Sequence, residues 1–177
     1  MRPHSRQDDG GLAISPFEPP AEPDYASGGA GAYSTALDYL RYMRALLHGG
    51  ELDGERILRP ESVDLMFTDH LAGLELPEVS PTAIPELSHP VPRLPVEQGF
   101  GLGLHVVLED LPGMRRAGTG DWAGLANCFY WIDRTTGIAA TFLTSVLPFF
   151  DERVLEAALG YEMAVYATVG AGAPTAA

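Results

Sequence analysis

One stretch of the chain, residues 118–125, carries residue types whose spacing could serve chemistry. It reads Gly-Thr-Gly-Asp-Trp-Ala-Gly-Leu and comes directly before an aromatic-rich apolar run. Small residues at a strand edge let another group approach the backbone closely. The same pattern also fits a β-hairpin with a bulge, and composition alone favours that second interpretation.

Other residues are candidates for ligand binding, but each has a simpler structural interpretation. The glycine-rich residues 27–31 could hold a phosphate at a helix N-terminus, yet they lack the lysine and spacing of a P-loop, which favours a turn and helix cap. Asp69-His70 is favoured as a solvated loop pair, because His70 has no second metal ligand at i, i+4 spacing. His105 is expected at the surface or lining a cleft, and Cys128 as a small buried hydrophobe. No metal and no cofactor is predicted.

The alternation of apolar residues predicts three strands around these candidates. Residues 100–108 alternate with period two and form the first predicted strand. The second runs from about residue 125 to residue 133 and leads into a turn at residues 134–137. The third covers residues 138–146, so that the three form an antiparallel meander.

Three helices are predicted to position this sheet. Ser34 or Thr35 caps the first, Pro60 begins a short second helix, and Asp151 caps the last. Their predicted inward faces are Leu37, Leu40, Met43 and Leu47; Val63, Met66 and Phe67; and Leu155, Leu159, Met163 and Tyr166. The order of helices, long loop, strands and helix predicts an α+β fold in which helices flank an antiparallel sheet.

Proline and glycine divide the chain into three parts, the second of which contains a long loop. Residues 1–24 are predicted to be an extended proline-rich arm, and residues 25–168 a single folded region. Inside that region, residues 69–98 are a proline-rich loop, long enough to border a binding cleft. Residues 169–177 are predicted to be a disordered tail.

The composition disfavours several classes of partner. The 177 residues have a net charge of -13, and nucleic acid or an anionic membrane would require clustered cations. No apolar run is long enough to cross a membrane, and the polar residues 1–11 do not resemble a signal peptide, so a cytoplasmic location is expected. Cys128 is the single cysteine, which excludes an internal disulfide.

Five segments together resemble the second half of a known family. They are residues 28–35 with 38–41, residues 47–63, residues 99–103, residues 122–127, and residues 130–133 leading to Gly137. In this order they resemble the β-lactamase-related serine hydrolases, which include family VIII esterases, class C β-lactamase-like proteins and acyltransferases that decorate polyketides. The resemblance covers residues 10–168 and implies an incomplete β-lactamase/transpeptidase-like fold.

The resemblance implies a mechanism through an acyl-enzyme. Family members attack esters or lactams with the serine of an S-x-x-K motif, while the lysine and a later tyrosine transfer the proton of that serine. Trp122-Ala123-Gly124 match the third family motif, which lies on a strand edge beside that serine. By the same match, the N–H of Leu125 forms half of the oxyanion hole, and the N–H of the serine forms the other half.

The sequence departs from the family pattern at the nucleophile. It contains no lysine, so no serine can belong to an S-x-x-K motif. Tyr25 adjoins the glycine-rich loop and is too close to it in sequence to match the family tyrosine. We therefore expect the helical catalytic half to lie outside these 177 residues. The expected partners are that half or a second copy of this chain, and a small-molecule ester or lactam as the substrate of the complete enzyme.

Three functions remain open at this point. The favoured one is the C-terminal part of a serine hydrolase, inactive alone. The second is a non-catalytic binding or interaction module that keeps the cleft wall, and the third is part of an acyltransferase. An S-x-x-K segment accompanying this chain would separate the first from the second, and an acceptor test on a complete enzyme would separate the first from the third.

Overall fold

The computed structural model describes residues 2–18, 22 and 24–172. Its helices are α1 (Ala36–Leu47), α2 (Pro60–Met66) and α3 (Glu152–Gly172). Its strands are β1 (His4–Arg6), β2 (Leu12–Ile14), β3 (Glu51–Leu52), β4 (Glu55–Arg56), β5 (Val79–Ser80), β6 (Val91–Pro92), β7 (Gln98–Phe100), β8 (His105–Val107), β9 (Gly120–Gly124), β10 (Cys128–Asp133), β11 (Ile138–Phe142) and β12 (Val146–Leu147). Among these elements, no helix combines the length and the hydropathy needed to cross a bilayer.

A five-stranded sheet organises the molecule. Its order is β11-β10-β9-β8-β7, and every neighbouring pair runs antiparallel. The predicted α+β class is confirmed, but the sheet has five strands instead of about three. One additional strand arises because the predicted strand 100–108 is divided by a turn into β7 and β8, and the other is β9, which precedes the predicted second strand.

The sheet is the middle layer between two groups of helices. On one face, Ile132 of β10 is fully buried against Met43 and Leu46 of α1 and Val63 of α2. On the other face, the neighbouring Trp131 packs with Ile138, Ala140 and the half-buried Val165 and Tyr166. Alternate residues of a strand point to opposite faces, so β10 contributes to both halves of the core.

The helix starts follow their local sequence signals. The hydroxyl of Thr35 accepts a hydrogen bond from the N–H of Asp38 at 3.2 Å and caps α1. Pro60 occupies the first turn of α2, where a missing N–H costs nothing. The carboxylate of Asp151 accepts from the N–H of Val154 at 3.1 Å and caps α3. All three predicted starts are confirmed.

The predicted inward faces are right only in part. In α1, Leu37 is exposed and Leu46 is buried instead. In α3, Leu159 and Met163 are exposed, because the buried stripe of this helix includes Glu162. The periodicity of apolar residues does not identify this buried face, because one of its positions is occupied by a charged residue.

Residues 100–108, predicted as one strand, form a hairpin. β7 ends at Phe100, β8 begins at His105, and the two strands pair antiparallel. Between them, Gly103 has a φ of +84°, and the N–H of Gly101 donates to the carbonyl of Leu104 at 2.8 Å. The alternation of glycine and leucine mimics a strand, but glycine reverses the chain without the penalty that a Cβ would impose.

The two ends of the described chain are tied into the fold. Residues 4–14, within the predicted arm, form the β1–β2 hairpin, and β1 pairs in parallel with β12. Arg6 donates two hydrogen bonds of 2.9 Å to Asp151, which hold the pKa of this carboxyl below its ordinary value. α3 continues to Gly172, inside the predicted tail, and residues 173–177 lie outside the described residues.

Candidate functional site

Trp122, Ala123 and Gly124 lie where β9 has one neighbouring strand instead of two. β9 pairs with β10 over its whole length. With β8 it pairs only at Gly120 and Asp121. In the part of the chain that the structure describes, the last three residues of β9 therefore have an open main-chain edge on the β8 side.

The main-chain groups of Ala123 point toward this open edge. The carbonyl of Thr119 accepts from the N–H of Val107 in β8 at 3.0 Å, so the main chain of Thr119 points toward β8. Alternate residues of a strand point their main-chain groups to the same side, which directs those of Ala123 to the open edge. Leu125 comes two residues later, and its N–H donates no hydrogen bond within the described residues.

Leu125 begins the tight turn, residues 125–127, that joins β9 to β10. Asn127 ends the turn with a φ of +55°, which three-residue hairpin loops require at this position. Its buried amide donates to the carbonyls of Val146 at 2.9 Å and Pro148 at 2.7 Å. Its side-chain oxygen accepts from the N–H of Phe150 at 2.8 Å. Asn127 therefore fastens the turn to the segment that connects β12 with α3.

Replacing Asn127 by alanine is expected to lower the free energy of unfolding by about 2–4 kcal/mol. The substitution leaves the buried carbonyls of Val146 and Pro148 without donors, and it places a less tolerant residue at positive φ. Urea unfolding of both proteins measures the difference. Thr168→Ala is the control, because this exposed hydroxyl bonds only to the carbonyl of Ala164. A loss below about 1 kcal/mol for Asn127→Ala would contradict this role.

Exposed apolar side chains surround the open edge. Trp122 is 48% exposed and Leu125 is 40% exposed. The ring of Phe100 meets Trp122 edge-on, with 5.7 Å between the ring centroids. Gly124 adds no side chain that would cover the backbone, and a Cβ at this position would only touch Cys128. The site thus combines an open main-chain edge with exposed aromatic and aliphatic side chains.

A buried ionic network lies beside this site, on the α3 face of the sheet. Arg115 donates two hydrogen bonds to Glu162, at 2.8 and 2.6 Å, and one to Asp121 at 2.6 Å. The Glu162 side chain is 4% exposed, and those of Arg115 and Asp121 are each 15% exposed. The guanidinium also lies 5.5 Å from the ring of Trp131.

Arg115 keeps its positive charge in this network. Burial opposes the charge of Arg115, but the hydrogen bonds and charges of Glu162 and Asp121 outweigh it and raise the pKa of the guanidinium. Asp121 directly precedes Trp122 in β9. The ion pairs therefore connect the open edge to α3, on which Glu162 lies.

The other residues singled out in the sequence do not assemble a second site. The carboxylate of Asp69 accepts from the N–H groups of Leu71 and Phe100, both at 3.0 Å, which is a structural role. Residues 27–31 stand ahead of the cap Thr35 and not at the helix N-terminus. Tyr25 is exposed, and Cys128 is half-buried. Within the described ranges there is no group of side chains that could hold a metal ion.

The sequence analysis did not identify Arg115, Glu162 or Asn127 as functional residues. Arg115 lies in a connecting segment among charged residues, where a solvated arginine is the ordinary expectation. Glu162 interrupts no motif. Asn127 follows the third-motif residues closely, and an asparagine at the end of a short loop is a signal for positive φ that could have identified it.

Comparison with known proteins gives a consistent family assignment. Residues 2–162 match the Beta-lactamase family model. The chain is similar to protein Rv1367c of Mycobacterium tuberculosis, with 35% identity over 133 residues, 71% of this chain and 30% of that protein. It is similar to lovastatin esterase of Penicillium rubens, with 32% identity over 133 residues, 70% of this chain and 31% of that protein. It is also similar to acyltransferase mokF of Monascus pilosus, with 35% identity over 115 residues, 62% of this chain and 26% of that protein.

A solved structure shows the same fold. The chain superposes on simvastatin synthase (LovD) of Aspergillus terreus with a TM-score of 0.72 and 24% identity, covering 94% of this chain and 41% of that structure. The chain spans less than a third of the length of the three curated relatives.

Proposed function

This chain belongs to the Beta-lactamase family, and from that premise we propose that it is the part of an ester-hydrolysing enzyme that supplies the third family motif and one oxyanion-hole donor. The observation that carries the proposal is the N–H of Leu125, which follows Trp122-Ala123-Gly124 at the open edge of β9 and donates no hydrogen bond within the described residues. An oxyanion hole needs such an uncommitted donor, held in place by rigid structure.

The proposed reaction proceeds in two steps. A serine oxygen outside these residues bonds to the ester carbonyl carbon, and the alcohol leaves with the serine proton after relay through the family's base. Water then attacks the acyl-enzyme, releases the acid and returns the proton to the serine. In both steps negative charge develops on the carbonyl oxygen, where the N–H of Leu125 donates to it. This chain supplies that donor and no nucleophile of its own.

Trp122 is proposed to contact the substrate. Its ring is half-exposed beside the open edge and is supported by Phe100. An aromatic surface at this position would bury apolar parts of an ester or a lactam, consistent with the name of the lovastatin esterase that this chain resembles. The side chain contributes contact area and no proton transfer.

The proposal predicts that the chain alone does not react with a fluorophosphonate serine probe. The reason is the absence of lysine, and hence of an S-x-x-K serine, from its sequence. Intact-mass measurement after incubation checks this, with chymotrypsin as the control for reagent activity. Circular dichroism shows that the tested chain is folded. A stoichiometric adduct would mean that a competent nucleophile lies within this sequence, and the proposal would be wrong.

A chimera tests the positive part of the proposal. In the chimera, the 177-residue chain replaces the aligned segment of lovastatin esterase, to which it is 32% identical. We expect the chimera to form a single probe adduct and to hydrolyse lovastatin. A folded chimera that forms the adduct but hydrolyses no ester would favour a binding module over a catalytic part.

Acyl transfer is the second candidate function. It is favoured by the 35% identity to acyltransferase mokF, because an acyl-enzyme can be released by an alcohol as well as by water. Adding an alcohol acceptor to the chimera separates the two. A transferase would form the new ester faster than the free acid, whereas a hydrolase would form the acid.

A further inference from the structure

β9 leaves β8 at Asp121. The two strands pair at Gly120 with Val106 and at Asp121 with His105, and the register ends there. The three following residues, Trp122–Gly124, have β10 as their single neighbouring strand in the part of the chain that the structure describes. The direction that β9 takes at Asp121 therefore determines where the open edge lies.

Asp121 uses both oxygens of its side chain at the point where β9 leaves β8. One oxygen lies 3.0 Å from Nδ1 of His105, its partner residue in β8. The other oxygen accepts a hydrogen bond of 2.6 Å from Arg115. The Asp121 side chain is 15% exposed, so water competes little for either contact. The two contacts hold Asp121 from two different directions.

Arg115 is itself fixed by its surroundings. It donates two hydrogen bonds to Glu162 of α3, at 2.8 and 2.6 Å, and such a forked contact sets the plane of the guanidinium. The guanidinium lies 5.5 Å from the ring centroid of Trp131, the residue opposite Asp121 in β10. Through these contacts Asp121 is connected to β8, to α3 and to β10.

The segment that carries the candidate oxyanion donor is held at both ends. Asp121 is its first residue, and the buried Asn127, whose amide bonds to the chain after β12, is its last. Between them Trp122 and Leu125 are half-exposed, and Gly124 has no side chain that could pack. The position of the Leu125 N–H therefore depends mainly on the two ends.

A small rotation at Asp121 would displace this donor far enough to affect catalysis. A strand rises ~3.3 Å per residue, so the four residues from Asp121 to Leu125 span about 13 Å. Over that length a rotation of about 5° moves the N–H by about 1 Å, and a misplacement of about 1 Å can cost ~10²-fold in rate. An oxyanion donor at the open edge therefore requires a rigid residue where β9 leaves β8.

We propose that Asp121 is a positioning residue for the oxyanion donor, because its contacts with His105 and Arg115 fix the direction of β9 and thereby the place of the Leu125 N–H. The role in catalysis rests on the proposed function, while the direction of the N–H bond can be measured without it. Well-packed apolar residues often match buried ion pairs in stability. Stability alone therefore does not explain an ionic network directly beneath the open edge.

Residual dipolar couplings of the nitrogen-15-labelled full chain test the positioning directly, because they report the direction of each N–H bond relative to the rest of the molecule. Asp121→Ala removes both contacts of the side chain. We expect the couplings of Ala123 and Leu125 to depart from their original values, while those of β10 and β11 still fit the sheet. Unchanged couplings at both residues would overturn the proposal, whatever the outcome of the esterase experiments.

Arg6→Met is the control for a general loss of stability. It breaks the ion pair with Asp151, whose side chain is 5% exposed, and it leaves every contact of β9 in place. The couplings of Ala123 and Leu125 are expected to stay unchanged in this variant. A change as large as that in Asp121→Ala would mean that any destabilisation moves the open edge, and it would contradict a specific role of Asp121.

His105→Leu tests the same point with a milder change, and it decides the question if Asp121→Ala does not fold. It removes the contact of Asp121 with β8 and leaves the ion pairs with Arg115 in place. We expect a smaller departure of the same couplings, at Ala123 and Leu125. A folded His105→Leu chain with unaltered couplings would count against the proposal.

The chimera measures the consequence for catalysis. Asp121→Ala is expected to lower kcat on the order of tenfold and to leave KM within a few-fold, because the donor acts on charge that develops in the transition state. Asp121→Asn keeps an oxygen that can accept from Arg115, so it is expected to recover most of kcat. Arg6→Met is expected to leave kcat unchanged.

The outcomes separate this inference from the proposed function. An active chimera in which Asp121→Ala has the kcat of the unsubstituted protein would show that Asp121 does not position the donor. A loss confined to KM would indicate a contact with the substrate and would also contradict the positioning role. If the unsubstituted chimera hydrolyses no ester, the proposed function fails, and the dipolar couplings still decide whether Asp121 sets the direction of the Leu125 N–H.

Discussion

Replacing Arg115 by methionine is expected to lower the free energy of unfolding by about 3–5 kcal/mol. The substitution leaves the carboxylate of Glu162, which is 4% exposed, without its two hydrogen bonds from Arg115. It also removes the donor at 2.6 Å from Asp121. Methionine can occupy part of the space but cannot neutralise either buried carboxylate, so the cost comes from uncompensated charge and not from lost volume.

Arg116→Met is the matched control for this experiment. Arg116 is the next residue, but its ion pair with Asp110 is exposed, at 55% and 52% of the two side chains. Exposed pairs contribute about 0–1 kcal/mol, so a small effect is expected. Guanidinium chloride unfolding at low protein concentration measures both variants. Equal losses in the two proteins would show that the buried network does not hold β9 to α3.

Arg115→Lys tests whether the positive charge at this position or its directed hydrogen bonds stabilise the protein. Lysine retains the positive charge but cannot make the forked contact with Glu162 and a further bond to Asp121 at the same time. We expect an intermediate loss of stability. A loss as large as that of Arg115→Met would indicate that the directed hydrogen bonds matter more than the charge.

Leu125→Pro is expected to lower kcat of the chimera by about 10²–10³-fold. Proline has no N–H, so the substitution deletes the proposed oxyanion donor and changes little else. The site tolerates proline for two reasons. Leu125 is not among the residues at positive φ, and Gly124 before it lies in an extended strand, the conformation that a residue preceding proline prefers.

The control for Leu125→Pro is Leu125→Ala, which shortens the side chain but keeps the N–H. Its kcat is expected to stay within a few-fold of the unsubstituted chimera. Hydrolysis rates at saturating ester, together with thermal unfolding of each variant, separate a catalytic loss from a folding defect. If proline and alanine have the same kcat, the N–H of Leu125 is not an oxyanion donor.

The features that the sequence predicted correctly depend either on residues close together in the chain or on several motifs that occur in a fixed order. Thr35, Pro60 and Asp151 mark helix starts through hydrogen bonds to residues within one turn, so a short stretch of sequence contains the whole signal. The family was recognised from several modest motifs in a fixed order, and the match over residues 2–162 confirms it.

The features that the sequence could not predict depend on partners far along the chain. Residues 101–104 keep the alternation of a strand, and only pairing of β7 with β8 shows that the chain reverses there. Arg6 and Asp151 are 145 residues apart, and Arg115 and Glu162 are 47 apart. A charged residue read alone is expected in solvent, because burial without a partner is costly.

By itself, the sequence determined the class of fold, the helix starts and the family, and it predicted which segment contains the candidate site. The tertiary structure decided which edge of β9 is open, which face of α3 is buried and which charges meet beneath the site. The division has a physical cause. Helix caps and turns are encoded by contacts between near neighbours, whereas the ion pairs of Arg115 and the placement of Leu125 depend on groups that only folding brings together.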